Sequence, residues 1–232
     1  MTALVTYSLD GAIATITLDD GKRNALSPAL LAELHLALAR AKQDRAVVLL
    51  SGREGVLSAG FDLTVLKGGG KTAADLLRSG FEVAQTLLSL PTPVVIACSG
   101  HAMAMGAFLL LSGDYRIGAA GPFKISVNEV AIGMTLPRSA IEICRQRLTP
   151  AHFNRATLLA EVYDPESALA AGFLDRVVPA AQLQESARTL AGELAKLSQH
   201  AHAATKLRVR AQALQAIRLA FDADSAEFEG AA

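Results

Sequence analysis

The sequence predicts an α/β layered fold with an α-helical C-terminal extension, and three observations predict it. Residues 46–51 and 94–98 are continuous apolar runs of strand length, the pattern of strands buried on both faces. Helix-spaced segments separate these runs. From residue 180 to about 221 the chain is rich in alanine and leucine with few breakers. In chain order, residues 4–9 and 12–18 are β-rich runs joined by Asp10-Gly11, a two-residue hairpin turn. Ser27-Pro28 reads as an N-cap followed by proline at the first helical position, with Leu30, Leu31, Leu34 and Leu38 at helical spacing to about Gln43. A second helix is expected over residues 72–89, and short strands over 115–119 and 123–127. Asp164-Pro165 starts a helix that Gly172 ends, and a break near residues 198–202 divides the C-terminal stretch into two helices. The run Gly68-Gly69-Gly70 between Lys67 and Lys71 reads as a flexible insert beside a site.

Composition narrows the function. The 232 residues, 51% of them apolar, suffice for one sizeable core with a small appended helical unit. Lysine plus arginine equals aspartate plus glutamate at 22 each, so no overall basic field exists for nucleic acid or an anionic membrane. Cys98 and Cys144 lack zinc-site spacing and fit a reducing, cytoplasmic setting. No basic stretch followed by an apolar run opens the chain, and no apolar run reaches membrane-spanning length. A nucleophile elbow, a phosphate loop and a dinucleotide fingerprint are all missing.

Three segments carry chemistry by their order and spacing. The first is Leu57-Ser58-Ala59-Gly60-Phe61-Asp62-Leu63. The second runs from Pro91-Thr92-Pro93 through Ser99-Gly100-His101-Ala102 to Gly106 and Gly113-Asp114-Tyr115-Arg116. The third is Val127-Asn128-Glu129-Val130-Ala131-Ile132-Gly133, followed by Leu136-Pro137. With Asn24-Ala25-Leu26-Ser27 upstream and Ala171-Gly172-Phe173-Leu174-Asp175-Arg176-Val177-Val178-Pro179 downstream, the chain resembles the enoyl-CoA hydratase/isomerase family, the crotonase superfamily, over about residues 4–210.

The resemblance implies a crotonase-like spiral of ββα units over residues 1–178 and a C-terminal helical region for trimerisation or cover over 179–232. It also implies a homotrimer or a dimer of trimers, an acyl-CoA substrate, and no cofactor beyond that substrate's own coenzyme A. The closing segment from Ala226 to Ala232 is short for the family, which would leave the site more open. The thioester oxygen is implied to meet the backbone amides of Phe61 and Met105, donors aimed where enolate charge develops. Family members commonly carry glycine at the Met105 position; a backbone N–H survives the change if the turn there needs no positive φ. Ala59 and Leu63 match CoA-contacting backbone, Lys22, Arg23 and Ala25 match the loop at the adenine end, and Phe108 lines the substrate site.

Hydratases of the family hold water between two glutamates. Here the first position is Phe108 and the second is Glu129. A double-bond shift needs one base only, and a carboxylate raised in pKa by apolar neighbours (Val127, Val130, Ala131 and Ile132) would supply it. The pattern is thus similar to the Δ3,Δ2-enoyl-CoA isomerase branch. Other acyl-CoA enolate reactions (hydration, decarboxylation, thioester hydrolysis) and a catalytically silent CoA-binding subunit are the alternatives. A lone glutamate without this frame is a solvated surface charge. Phe108 also fits plain core filling, His101 fits a structural residue or one lining the acyl pocket better than a base, Asp62 fits a helix cap, and Asp114 a structural role.

Overall fold

The computed structural model describes residues 3–230, with side chains described as far as Glu227. Ala231 and Ala232, the end of the segment expected to leave the site open, lie outside the described residues. β1 (Val5–Asp10) and β2 (Ile13–Leu18) form the expected hairpin, but its two-residue turn is Gly11-Ala12, one residue later than expected, because Asp10 still pairs with Ile13; Gly11 supplies the positive φ (57°). β3 (Ala25–Leu26) is followed by α1 (Pro28–Gln43), capped by the Ser27 hydroxyl, which accepts from Leu30 N–H. β4 (Val47–Gly52), β5 (Gly55–Ser58) and β6 (Gly60–Phe61) come next, then α2 (Leu63–Gly68) and α3 (Gly70–Ser89). β7 (Val94–Cys98), β8 (Gly100–Met103), α4 (Met105–Leu111), β9 (Tyr115–Ala120) and β10 (Ile125–Ser126) complete the part that builds the site. The remainder is α5 (Arg138–Arg145), α6 (Pro150–Leu159), α7 (Pro165–Ala171), β11 (Arg176–Pro179), α8 (Leu183–Leu194) and α9 (Gln199–Gly230).

The main sheet has the order β1-β2-β4-β7-β9-β11, parallel apart from the opening hairpin. Alternation explains why its central strands are apolar throughout. Val48, Leu50, Val94 and Ile96 face the large core with α1 and α3, while Val47, Leu49, Val95 and Ala97 face a second core closed by Leu183, Ala187 and Ala191 of α8. A three-stranded sheet, β10-β8-β5, and the short pair β3-β6 stand beside the main sheet and carry the candidate segments.

Several expectations need correction. The three glycines are no open insert: Gly68 ends α2, Gly69 (φ 63°) is the joint, and Gly70 begins α3, two residues earlier than expected. The strand expected over 123–127 is only Ile125–Ser126. The C-terminal break falls at residues 195–198, and α9 continues well past Phe221. Asp62, Asp164 and Gly172 do end or cap helices as read.

α9 is anchored at both ends by buried ions. Asp114 accepts from Val94 N–H and pairs with Lys206 (2.7 Å) and Arg210 (2.9 Å), the structural role expected of it. Both cations also bond carbonyls at the end of α3, Leu87 and Leu88, where the helix dipole favours positive charge. Further along, α5 has Pro137 at its N-cap and no cap from its own segment. Asp224 of α9, 3% exposed, takes over, accepting from the N–H groups of Arg138 and Ser139 (3.0 and 2.8 Å) and from the Ser139 hydroxyl. Asp224→Ala is expected to lower stability by about 2–3 kcal/mol, the range for buried hydrogen bonds to a charged group. Urea unfolding checks this; an unchanged midpoint would remove the cap from the account.

Candidate active site

The loop before β3 is shaped by Asp20. Its carboxylate accepts from the N–H groups of Lys22, Asn24 and Ala25 at 2.7, 2.8 and 3.0 Å. Burial pushes its pKa up, but these backbone donors outweigh burial and hold it below the usual carboxylate range. Asn24 takes the left-handed conformation (φ 52°) and is fully buried, its amide donating to the carbonyls of Leu18 and Leu57. Ser58 closes the arrangement: its hydroxyl donates to Asn24 O (2.7 Å) and accepts from Gly60 N–H (3.1 Å). Asp20 was not singled out from the sequence; an aspartate ahead of several loop N–H groups is the signal that could have found it.

Phe61 and Met105 are brought together. A Cβ on Gly60 would stand 3.0 Å from Met103 O and 3.3 Å from Met105 N, and one on Gly106 would stand 2.4 Å from Ser58 O. The first and second segments therefore touch backbone to backbone, which only glycine at these two positions permits. Met105 itself needs no positive φ. That conformation belongs to Ala104 (φ 50°, ψ −123°), so methionine is tolerated at the first residue of α4 with its side chain in the core. The Phe61 ring lies against Gly80 of α3 and edge-on to Phe81 (6.2 Å between centroids), which stacks on Phe108 (6.2 Å). Phe108 is 1% exposed. It stands in a continuous aromatic core.

Glu129 follows β10 and precedes a 3₁₀ turn, Val130–Ile132. It is 6% exposed, and among the described residues its Oε2 has no hydrogen-bond partner and neither does the neighbouring Asn128 Oδ1. Burial raises its pKa to about 7, against a smaller lowering by its own backbone N–H. The neighbours expected to cause this do so only in part. Val127 is buried, but Val130, Ala131 and Ile132 are exposed because the turn points them outward, and Cys144 of α5 instead stands close enough for its thiol to feel the Glu129 charge. Beside the turn is an apolar cavity of about 590 Å³, lined among others by Val130, Met134, Leu136, Ile141 and Phe153.

Lys22, Arg23, Ala59, His101 and Met103 line a second cavity of about 480 Å³. Ala25 and Leu63 are not in its wall: Ala25 pairs with Gly60 in the β3-β6 strand pair, and Leu63 is half-exposed at the start of α2. Among the described residues no group of three or more histidine, cysteine, aspartate or glutamate side chains could hold a metal ion, and no helix is long and apolar enough to cross a membrane.

The fold is shared with known proteins. Residues 8–231 match the family model for enoyl-CoA hydratase/isomerase. Human mitochondrial enoyl-CoA delta isomerase 1 is 30% identical over 230 residues, 97% of this chain and 76% of that protein. Among solved structures, an enoyl-CoA hydratase of Mycobacterium ulcerans is 50% identical with a TM-score of 0.94, covering 97% of this chain and 99% of its own. A Mycobacterium tuberculosis protein, named an enoyl-CoA isomerase in one solved structure and a probable enoyl-CoA hydratase in another, is 49% identical in the first with the same TM-score, covering 98% of this chain and 100% of its own. The chain belongs to the enoyl-CoA hydratase/isomerase family.

Proposed function

We propose that the protein is a Δ3,Δ2-enoyl-CoA isomerase. The observation that carries this reading is the single carboxylate: Glu129 is buried, unpartnered at Oε2 and raised in pKa, while Phe108 fills the other position with packed aromatic core. The thioester oxygen of a 3-enoyl-CoA accepts from the N–H groups of Phe61 and Met105. Ionised Glu129 removes a proton from C2, and the electron pair of that C–H bond moves into a dienolate whose charge rests on the thioester oxygen. Glu129, now protonated, returns the proton to C4, and the double bond is left between C2 and C3. No water is consumed. A base near neutral pKa suits both halves, since the same group must take and then give the proton.

Lys22 and Arg23 hold the phosphates of CoA, and Ala25, Ala59 and Leu63 contribute backbone to its binding. Coenzyme A enters as part of the substrate, and no separate cofactor is used. A cytoplasmic homotrimer, or a pair of trimers, belongs to the same proposal. Hydration is the second reading, favoured by the name of the hydratase that is 50% identical. It lacks a second carboxylate to hold water. Incubation with 3-enoyl-CoA is expected to yield 2-enoyl-CoA with no build-up of 3-hydroxyacyl-CoA. Hydration of 2-enoyl-CoA at a rate matching the double-bond shift would overturn the isomerase reading in favour of hydration.

A further inference from the structure

His101 sits on β8 with its ring held on two sides. β8 is pressed against β5 so closely that a Cβ on Gly100 would meet Gly55 backbone at 2.0 Å, which fixes the strand that presents His101. The N–H of Lys124 donates to Nδ1 at 3.0 Å, and Phe123 packs against the ring at 90° with 5.7 Å between centroids. An Nδ1 that accepts from a backbone N–H carries no proton of its own, so the neutral ring holds its proton on Nε2. His101 is therefore held as an Nε2–H donor, and Nε2 has no partner among the described residues.

The cavity that His101 lines has Lys22 and Arg23 on its wall together with Ala59, two residues before Phe61, and Met103, two residues before Met105. A CoA thioester reaching from the cations to the two amides passes its pantetheine arm through this space, and that arm carries two amide carbonyls and no charge. We propose that His101 is a positioning residue that donates its Nε2–H to an amide carbonyl of the pantetheine arm. This rests on the reading of the cavity as the CoA site, and not on which reaction follows. As a donor it acts on binding, and it takes no proton from the substrate.

Calorimetry with CoA and with adenosine 3′,5′-bisphosphate, which lacks the arm, tests the assignment on wild type, His101→Leu and His101→Gln. The leucine variant is expected to bind CoA about fivefold to tenfold more weakly, the loss of one net neutral hydrogen bond. Its affinity for the bisphosphate should be unchanged, which also shows that the variant is folded. Glutamine, whose Nε2 is a donor at a similar reach, should recover most of the CoA affinity. With 3-enoyl-CoA as substrate the leucine change should appear in KM with kcat retained. Equal CoA affinity in the leucine variant, an equal loss for the bisphosphate, or a fall in kcat with KM unchanged would each overturn the role. A protein that binds CoA with this discrimination yet does not shift double bonds would leave His101 standing and remove the isomerase reading. Failure of the wild type to bind CoA would remove both.

Discussion

Glu129→Gln is expected to lower the turnover of 3-enoyl-CoA by about 10² to 10⁴, the contribution of a positioned acid–base group, with CoA affinity nearly retained. The amide keeps the volume and loses the base. Its second effect runs the other way. The Glu129 pKa stands at about 7 in the folded protein against an ordinary 4.5, so the folded state holds a proton that the unfolded state has released between these values. The Glu129 contribution to stability is therefore most favourable below about pH 4.5, falls as pH rises through that window, and is level above about pH 7. A shift of this size corresponds to a penalty on the order of 3 kcal/mol at pH 8. Glutamine carries no charge and escapes the penalty, so the variant should be the more stable protein at pH 8, with the difference vanishing near pH 4. Urea unfolding at both pH values checks the linkage, and a wild-type kcat/KM that rises through about pH 7 checks the same ionisation in catalysis. Retention of more than a tenth of wild-type turnover would take Glu129 out of the reaction.

The burial that raises the Glu129 pKa is a tertiary effect, and it divides what was legible in the sequence from what was not. Local signals were readable because local physics decides them: Ser27-Pro28, Asp62 and Asp164 cap helices through bonds to N–H groups two or three residues away, and Gly172 ends one at φ 95°. The alternation of residues 47–50 between two cores was implicit in their continuous apolar character. Long-range partners left no such trace. Asp224 caps a helix that starts 86 residues earlier in the chain, and nothing around it marks it as a cap. Asp20 is the local exception: it organises its loop through N–H groups two to five residues on, a signal the sequence does carry. The surroundings of Glu129 were misread for a related reason: adjacency in sequence was taken for adjacency in space, whereas the 3₁₀ turn sends Val130 and Ile132 outward and α5 supplies Cys144. The positions of Phe61, Met105 and Glu129 themselves were legible only through the family resemblance, since neither periodicity nor composition distinguishes them.

Gly106→Ala is the complementary test, because it disturbs the two backbone donors without touching any ionisable group. The added methyl would stand 2.4 Å from Ser58 O and 3.0 Å from Ser58 C, so either α4 or the segment around Ser58 must move. Ser58 is poorly placed to yield. Its hydroxyl is tied to Asn24 O and Gly60 N–H, and β5 is paired with β8. The movement therefore falls on the first turn of α4, which carries Met105 N–H, and shifts it away from Phe61. Losing one donor of this kind costs about 10² to 10³ in kcat, and overpacking of the contact adds about 1–3 kcal/mol of destabilisation. Circular dichroism and thermal unfolding would establish that the variant folds, and its affinity for CoA should change far less than its turnover, because enolate charge appears only as the C2 proton leaves. A folded Gly106→Ala protein with near wild-type kcat would show that Phe61 and Met105 do not act as a pair on one oxygen. The proposed site would then lose its electrostatic half while Glu129 kept its place.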